Sequence, residues 1–513
     1  MAVERDAMRY LIAAAVLGLA GSAMADNFFE LAKLVPSDGM ANDQFGAKVS
    51  ASGEYVLIGA HRDDDNGESS GSAYVYWPNS TGTWIRFKLV PADGGAGHFF
   101  GSDVSIDGNI ALVGARNDHT KTAFSGSAYL FERQSSGVWT QLQNLYPSDA
   151  EVEDNFGYSV ALSGDICVIG ATSWAGQAGK AAYVYERQPN GLWEESARLQ
   201  PEGLSGDGFG SSVATDGESI VVGVPYDDDL GTNSGSAFVY SQSESGDWAQ
   251  VAKLLGSGIG SDHHFGRNVE VDGETIMVSG NQGNYGHVYV FERSGSSDWA
   301  EVQAIADPHG PSGHAFGGAV ALEGDVAVIG SYLDSGVDQF TGTARVYVHE
   351  LGQWTYRHFL RASDGSSRFG AAVDISGETV VIGAYGDDDN GTDSGSAYIF
   401  DAGVESDADG DGVPDDEDNC NLYNPDQADC NENAIGDVCD IADETSLDVD
   451  GSGVPDECEC LADQSLDGEV NVNDILIVIA TWGTNGSLGD VNYDGIVDTN
   501  DILAVISAWG PCP

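Results

Sequence analysis

Basic residues are scarce in this chain. Over 513 residues, 20 Lys and Arg stand against 82 Asp and Glu, a formal net charge of -62. A surface of that sign repels nucleic acid and anionic membrane, and it suits divalent cations. Cysteine is almost missing before Gly403. Cys167 stands alone there, inside the apolar run ICVIGA, and reads as a buried free thiol. Long apolar runs are missing too: beyond the first 25 residues no stretch is long and apolar enough to span a bilayer. No nucleophile elbow, phosphate loop or zinc-binding helix motif stands out, so no common hydrolase or nucleotide chemistry announces itself.

The ends of the chain differ from this description. Arg5 and Arg9 precede the apolar LIAAAVLGLA, and Ala23 and Ala25 supply small residues before Asp26. This reads as a secretory signal over residues 1–25, too short to be an anchor, and predicts a soluble protein, secreted or attached at a cell surface. From Asp401 to Pro513 there is no Lys or Arg, against 29 Asp and Glu. Six of the seven cysteines (Cys420, Cys430, Cys439, Cys458, Cys460, Cys512) fall in the same stretch. The charge break sets a boundary near Gly403, and clustered cysteines in an exported chain predict disulfides.

Between these ends the chain repeats. Phe-Gly recurs at Phe45, Phe100, Phe156, Phe209, Phe265, Phe316 and Phe369, with spacings of 55, 56, 53, 56, 51 and 53. Each unit then runs through a strand of small apolar residues, a tight turn such as SGE or DGN, and an apolar run ending in Gly. A polar loop and a third strand of the type GSAYVY follow. The fourth strand opens with Trp84, Trp139, Trp193, Trp248, Trp299 or Trp354. Period-two apolar patterning cut by Gly and Asp is strand chemistry. Four short antiparallel strands repeated at this period predict a mainly β fold, a seven-bladed propeller over 27–402. There are seven Phe-Gly starts but six Trp strands. FELAKLVPSD from Phe29 aligns with WIRFKLVPAD from Trp84, so the N-terminal strand should complete the last blade and close the ring.

These units resemble the FG-GAP repeat, the blade of integrin alpha-chain propellers. In that family calcium loops sit between the first and second strands. The turns here, as in DISGETVV, are too short, and that calcium site is not carried over. The loops between second and third strands hold Asp63–Asp65, Asp227–Asp229 and Asp387–Asp389. They should share a face with the blade-to-blade loops bearing His98, His263, His264 and His314. These residues read first as turn chemistry, since Asp and Gly dominate turns, and second as a surface for a cation, a sugar or a protein.

In the acidic stretch, closely spaced carboxylates with Gly suit Ca²⁺, which needs six to eight oxygens. Residues 403–460 resemble a thrombospondin type 3 repeat. That resemblance implies calcium ligands at Asp407, Asp409, Asp411, Asp415 and Asp418, and pairing of Cys420 with Cys439. Residues 461–513 contain a duplication 27 residues apart, with two loops in EF-hand register. The first offers Asp463, Ser465, Asp467, Glu469 (carbonyl), Asn471 and Asp474. The second offers Asp490, Asn492, Asp494, Ile496 (carbonyl), Asp498 and Asp501. Gly468 and Gly495 stand at position 6, and an apolar helix follows each loop. Paired loop-helix units resemble a type I dockerin, which implies a small α module and a cohesin-like partner. Cys460 with Cys512 is the pairing favoured for clasping this module, with Cys430–Cys458 joining it to the stalk.

The function expected from these features is calcium-dependent recognition or adhesion, with Ca²⁺ as the bound ion. The propeller would take a protein or polysaccharide ligand, and the tail would attach to a cohesin-like protein or a cell-surface component. The chain is expected not to be an enzyme, because the Asp clusters recur in several blades where a catalytic pair would break the repeat. The alternative is a dockerin-bearing polysaccharide hydrolase or lyase with its site on the propeller face.

Overall fold

The computed structural model describes residues 30–172, 181–201, 207–243, 245–282, 285–294, 298–307, 315–334 and 341–401. Nearer the C-terminus it describes 462, 469–483, 491, 496–508 and 510–511. The chain divides into two compact units, Met1–Val404 and Glu405–Pro513.

The first unit holds seven four-stranded antiparallel sheets. Blade 1 is Lys48–Ser52, Tyr55–Ala60, Ser72–Pro78 and Trp84–Leu89. Blades 2 to 6 follow in order, opening at Phe100, Phe156, Ser212, Val269 and Phe316. Blade 7 is Phe369–Ser376, Thr379–Ala384 and Ser396–Asp401, completed by Glu30–Leu34. That N-terminal strand pairs Lys33 with Tyr398 and Leu34 with Ala397. The ring is thus closed as the alignment of FELAKL with WIRFKL predicts.

The second and third strands do not alternate, and the reason is geometric. Tyr55–Ala60 and Ser72–Tyr76 are buried almost throughout, because each face meets a neighbouring blade. The core is accordingly distributed between blades. Leu34, Phe45, Ile58 and Tyr74 pack with Val381 and Ile399 in the seam joining blades 7 and 1. Six similar clusters fill the other seams. The seven Phe side chains of the Phe-Gly pairs are at most 1% exposed, and burying each contributes roughly 2–3 kcal/mol. The Trp residues opening the fourth strands pack into the same seams, Trp139, Trp193 and Trp354 almost fully buried.

The Phe-Gly pair latches successive blades. Phe100 N donates to Ser70 O of blade 1 at 3.0 Å, and Phe45 N to Ser394 O of blade 7 at 3.0 Å. Gly46 has φ +83°, and a Cβ there would stand 2.1 Å from Ser396 O, so only glycine fits. In blades 1, 4 and 5 the first strand begins three or four residues after the Phe, at Lys48, Ser212 and Val269. In these blades the Phe itself is spent on the seam.

First strands line the centre, where their free edges need partners. Side chains of the preceding blade supply them. Ala51 N donates to Asp374 Oδ2 at 2.8 Å, Val160 N to Asp103 Oδ2 at 2.8 Å, and Val269 N to Ser212 Oγ at 3.1 Å.

In the second unit, helices α1 (Val472–Ala480) and α2 (Thr499–Ser507) each begin in a capping box, Asn471 with Asp474 and Asp498 with Asp501. Val478 and Val505 share a small core with Val470, Val491 and Val497. Glu469–Val470 pairs with Gly510–Pro511, so the start and end of this duplicated segment meet. No helix among the described residues is long and apolar enough to cross a membrane. The signal (1–25), the type 3 stretch (403–460) and every tail cysteine lie outside the described residues.

Candidate functional site

The loop between the second and third strands shows where the Asp clusters go. In blade 1, Asp63 is 3% exposed. Its Oδ2 accepts from Ser72 Oγ at 2.8 Å, Tyr74 OH at 3.2 Å and Lys88 Nζ at 2.8 Å, and its Oδ1 accepts from Asp65 N at 2.9 Å. Asp64 Oδ1 accepts from Ser69 N at 2.7 Å. These are turn-stabilising side-chain bonds, and Asp227–Asp229 and Asp387–Asp389 repeat them. The first reading of these clusters, turn chemistry, holds for the described blades. The histidine-bearing connections do share this face: Phe99 N donates to Ser69 O, and His264 N to Asn233 O.

At the centre of three clusters sits an ammonium. Lys88 Nζ lies 2.8 Å from Asp63, 2.5 Å from Asp65 and 3.2 Å from Asp38. Lys253 Nζ lies 2.6 Å from both Asp227 and Asp229. Lys33 Nζ lies 2.5 Å from Asp364 and 2.7 Å from Asp387 and Asp389. The oxygens of Asp364, Asp387 and Asp389 lie close enough together to hold a metal ion, but Lys33 already fills that space. Burial lowers the lysine pKa values, yet the carboxylate bonds outweigh it and raise them. Asp364 is held down at about 2, burial notwithstanding, by its bonds to Lys33, Tyr398 and Ser366. In blade 6 Arg345 takes the role, 2.9 Å from Asp334.

Blade 2 departs from this plan. Asp118 is 0% exposed and accepts from Ser127 Oγ at 2.6 Å, Tyr129 OH at 3.0 Å and Thr120 N at 2.6 Å. The residue opposite Tyr129 on the fourth strand is Asn144, where blade 1 has Lys88 opposite Tyr74. Asn144 turns instead to Asp93, at 2.9 Å. The nearest imidazole nitrogen to Asp118 is His98 Nδ1, 3.7 Å from Oδ1. Blade 5 departs further: its second and third strands pair out to Gln282 and Tyr285, leaving no room for an Asp loop. His287 stands where other blades have the hydroxyl of Ser72 or its counterparts. His264 packs edge-on against Tyr226, and His263 Nδ1 meets Gly260 within its own loop. His314 lies outside the described residues.

The first strands enclose a central cavity of about 280 Å³. Its charged lining is Lys48, Asp103, Glu270 and Asp374, with Lys48 Nζ 3.2 Å from Asp103 Oδ1. Burial pushes Asp374 up to about 6. Burial and the charges of Asp374 and Asp103 push Glu270 well above the usual carboxylate range. Sequence reasoning passed over this cluster. Its signal is a polar residue three or five positions after the Phe of Phe-Gly, where Lys48, Asp103, Glu270 and Asp374 stand among serines and alanines.

Of the expected calcium ligands, Asn471, Asp474, Ile496, Asp498 and Asp501 are described, along with the backbone of Glu469. Asp474 and Asp501 are 0% exposed. Asp474 Oδ2 accepts from Asn471 N, and Asp501 Oδ2 from Asp498 N, both at 2.7 Å; Asp501 Oδ1 also accepts from Val491 N at 2.8 Å. Asp407, Asp409, Asp411, Asp415, Asp418, Asp463, Ser465, Asp467, Asp490, Asn492 and Asp494 lie outside the described residues.

Six stretches match the FG-GAP repeat family: 28–76, 86–131, 139–185, 193–240, 299–348 and 354–400. The longest unmatched stretch between them, 241–298, runs from the fourth strand of blade 4 through the third strand of blade 5, where the Asp loop is missing. No curated protein sequence matches the chain. Among solved structures, a structural-genomics protein from Lactobacillus plantarum is 14% identical with a TM-score of 0.43, covering 64% of this chain and 86% of its own. The periplasmic gluconolactonase PpgL of Pseudomonas aeruginosa is 13% identical with a TM-score of 0.44, covering 62% of this chain and 85% of its own. That second match corrects the expectation that the chain is not an enzyme. That matched protein is an enzyme by name, and the expectation of a non-catalytic chain is withdrawn.

Proposed function

The chain belongs to the FG-GAP repeat family, and from that premise we propose an exported, calcium-binding recognition protein whose propeller takes a protein or carbohydrate ligand. In this reading residues 403–460 form a calcium-stiffened stalk of thrombospondin type 3 kind. Residues 461–513 form a dockerin-like module that attaches the propeller to a cohesin-like partner or a cell surface. Calcium is held in the two loops by Asp463, Asp467 and Asp474 and by Asp490, Asp494, Asp498 and Asp501, with the neighbouring polar side chains and carbonyls completing each shell.

One observation carries the attachment role. Leu476 and Ile479 of α1 are 57% and 51% exposed, and their counterparts Leu503 and Ile506 of α2 are 58% and 50% exposed. Both pairs repeat at the 27-residue spacing of the loops. Large apolar side chains kept outside a core at duplicated positions favour a partner surface over chance exposure. The test is capture of the full chain on an immobilised cohesin module in calcium and in chelator. Capture that requires calcium and is lost in Leu476→Glu/Leu503→Glu supports the reading; no capture in either condition overturns it. The propeller is tested separately, by screening polysaccharides for both binding and product release.

A further inference from the structure

We propose that blade 2 carries a transition-metal site, with Asp118 and His98 as ligands, His119 as a third, and Zn²⁺ as the type of ion it takes. In blades 1, 4 and 7 the carboxylate at this place is answered by Lys88, Lys253 or Lys33. Blade 2 keeps the carboxylate and deepens its burial, but Asn144 replaces the lysine and faces Asp93.

A second, independent feature points into the same spot. His98 is 5% exposed, and its Nδ1 has no hydrogen-bond partner. A buried, unanswered ring nitrogen beside a buried carboxylate is costly unless something sits between them. The separation suits an ion. Two ligands at 2.0–2.1 Å from a tetrahedral Zn²⁺ stand about 3.3 Å apart; His98 Nδ1 and Asp118 Oδ1 stand 3.7 Å apart. Closing by roughly 0.4 Å brings both into the bonding range of one ion.

The surroundings fit a metal ligand set. His119 is exposed, and its ring lies edge-on to that of His98 with centroids 4.4 Å apart, so a side-chain rotation brings a second imidazole to the ion. A water completes four-coordination. Ser127 and Tyr129 hold Oδ2 of Asp118 and Thr120 N holds Oδ1, and such bonds are how outer partners orient metal ligands. Two nitrogens and one carboxylate suit Zn²⁺ and its neighbours, whereas Ca²⁺ asks for six or more oxygens.

The experiment uses the full chain in excess Ca²⁺, so that oxygen-rich sites in the tail are filled. Zn²⁺ stoichiometry by equilibrium dialysis, and the visible absorption of bound Co²⁺, are compared among wild type, His98→Gln and Asn144→Lys. Both variants leave the tail untouched, so any tail binding cancels in the difference. His98→Gln should lose one equivalent of Zn²⁺ and the matching Co²⁺ band. Asn144→Lys installs the ammonium that blade 1 uses; it should lose the same equivalent while melting no lower than the metal-free wild type. The second variant guards against loss of binding through misfolding. Wild-type stoichiometry in either folded variant overturns the site.

Discussion

Lys33 Nζ lies 2.7 Å from Asp387 Oδ2, so the first strand and the last repeat of the propeller share one charge pair whose carboxylate is buried. Lys33 also reaches Asp364 and Asp389, and its strand is the outer edge of blade 7. The contact therefore closes a ring as well as neutralising a cluster. Lys33→Met keeps the stem but leaves Asp387, whose side chain is 6% exposed, without a counter-charge. Stranding a buried partner should cost about 3 kcal/mol. Urea unfolding of the propeller measures it; a loss below ~0.5 kcal/mol, the size typical of an exposed pair, would show the latch to be incidental.

Glycine offers an internal control. Gly46 and Gly53 both have positive φ, +83° and +53°, but a Cβ at Gly46 meets Ser396 O at 2.1 Å while one at Gly53 meets nothing within 4 Å. Gly53→Ala should cost about 1 kcal/mol, the strain of a left-handed alanine. Gly46→Ala should cost that and a displaced blade seam besides, over 3 kcal/mol in sum. Equal losses on thermal unfolding would contradict the latch.

The central cavity sets a pH dependence. Asp374 is pushed up to about 6 by burial, above the ~3.9 of an unfolded chain. The folded state therefore holds the proton more tightly. Its stabilising contribution is full below pH ~4 and is lost as pH rises through about 6. Glu270, raised by the same cavity, adds a loss of the same sign. Asp374→Asn removes the carboxylate's titration while its side-chain oxygen can still accept from Ala51 N. Melting temperatures from pH 4 to 8 should fall less steeply for the variant, which should be the more stable protein above pH 7. Parallel curves would refute the assignment.

The blade plan was legible in the sequence because it is written seven times. Phe-Gly, the apolar run and the Trp strand each report a local rule, and FELAKL betrayed the closing strand by its likeness to WIRFKL. The partners of the Asp clusters were not legible. Asp63 and Lys88 belong to different strands, and nothing in the Asp loop itself says that an ammonium will fill it. The exception in blade 2 is visible only once Asn144 is set in register with Lys88, which requires the paired third strand. The cavity charges were hidden for a related reason: Asp103 and Asp374 read as ordinary alternation until seven first strands face one centre.

Calcium removal should separate the two units. In the described second-to-third-strand loops of blades 1, 4, 6 and 7 the leading carboxylate is already answered by Lys88, Lys253, Arg345 or Lys33, and such a site has no need of an ion. In the tail there is no Lys or Arg from Asp401 onward, so 29 carboxylates must find their counter-charge elsewhere. Asp474 and Asp501 are drawn fully inside at the starts of α1 and α2, where a calcium ligand would also hold the helix cap. Chelation removes that support from both helices, and like-charge repulsion then opposes refolding. Scanning calorimetry with and without chelator should move or abolish the transition of the 405–513 unit and leave the propeller transition within ~2 °C. A propeller transition lowered by more than ~5 °C, a shift worth about 4 kcal/mol for a domain this large, would mean that its loops depend on calcium after all.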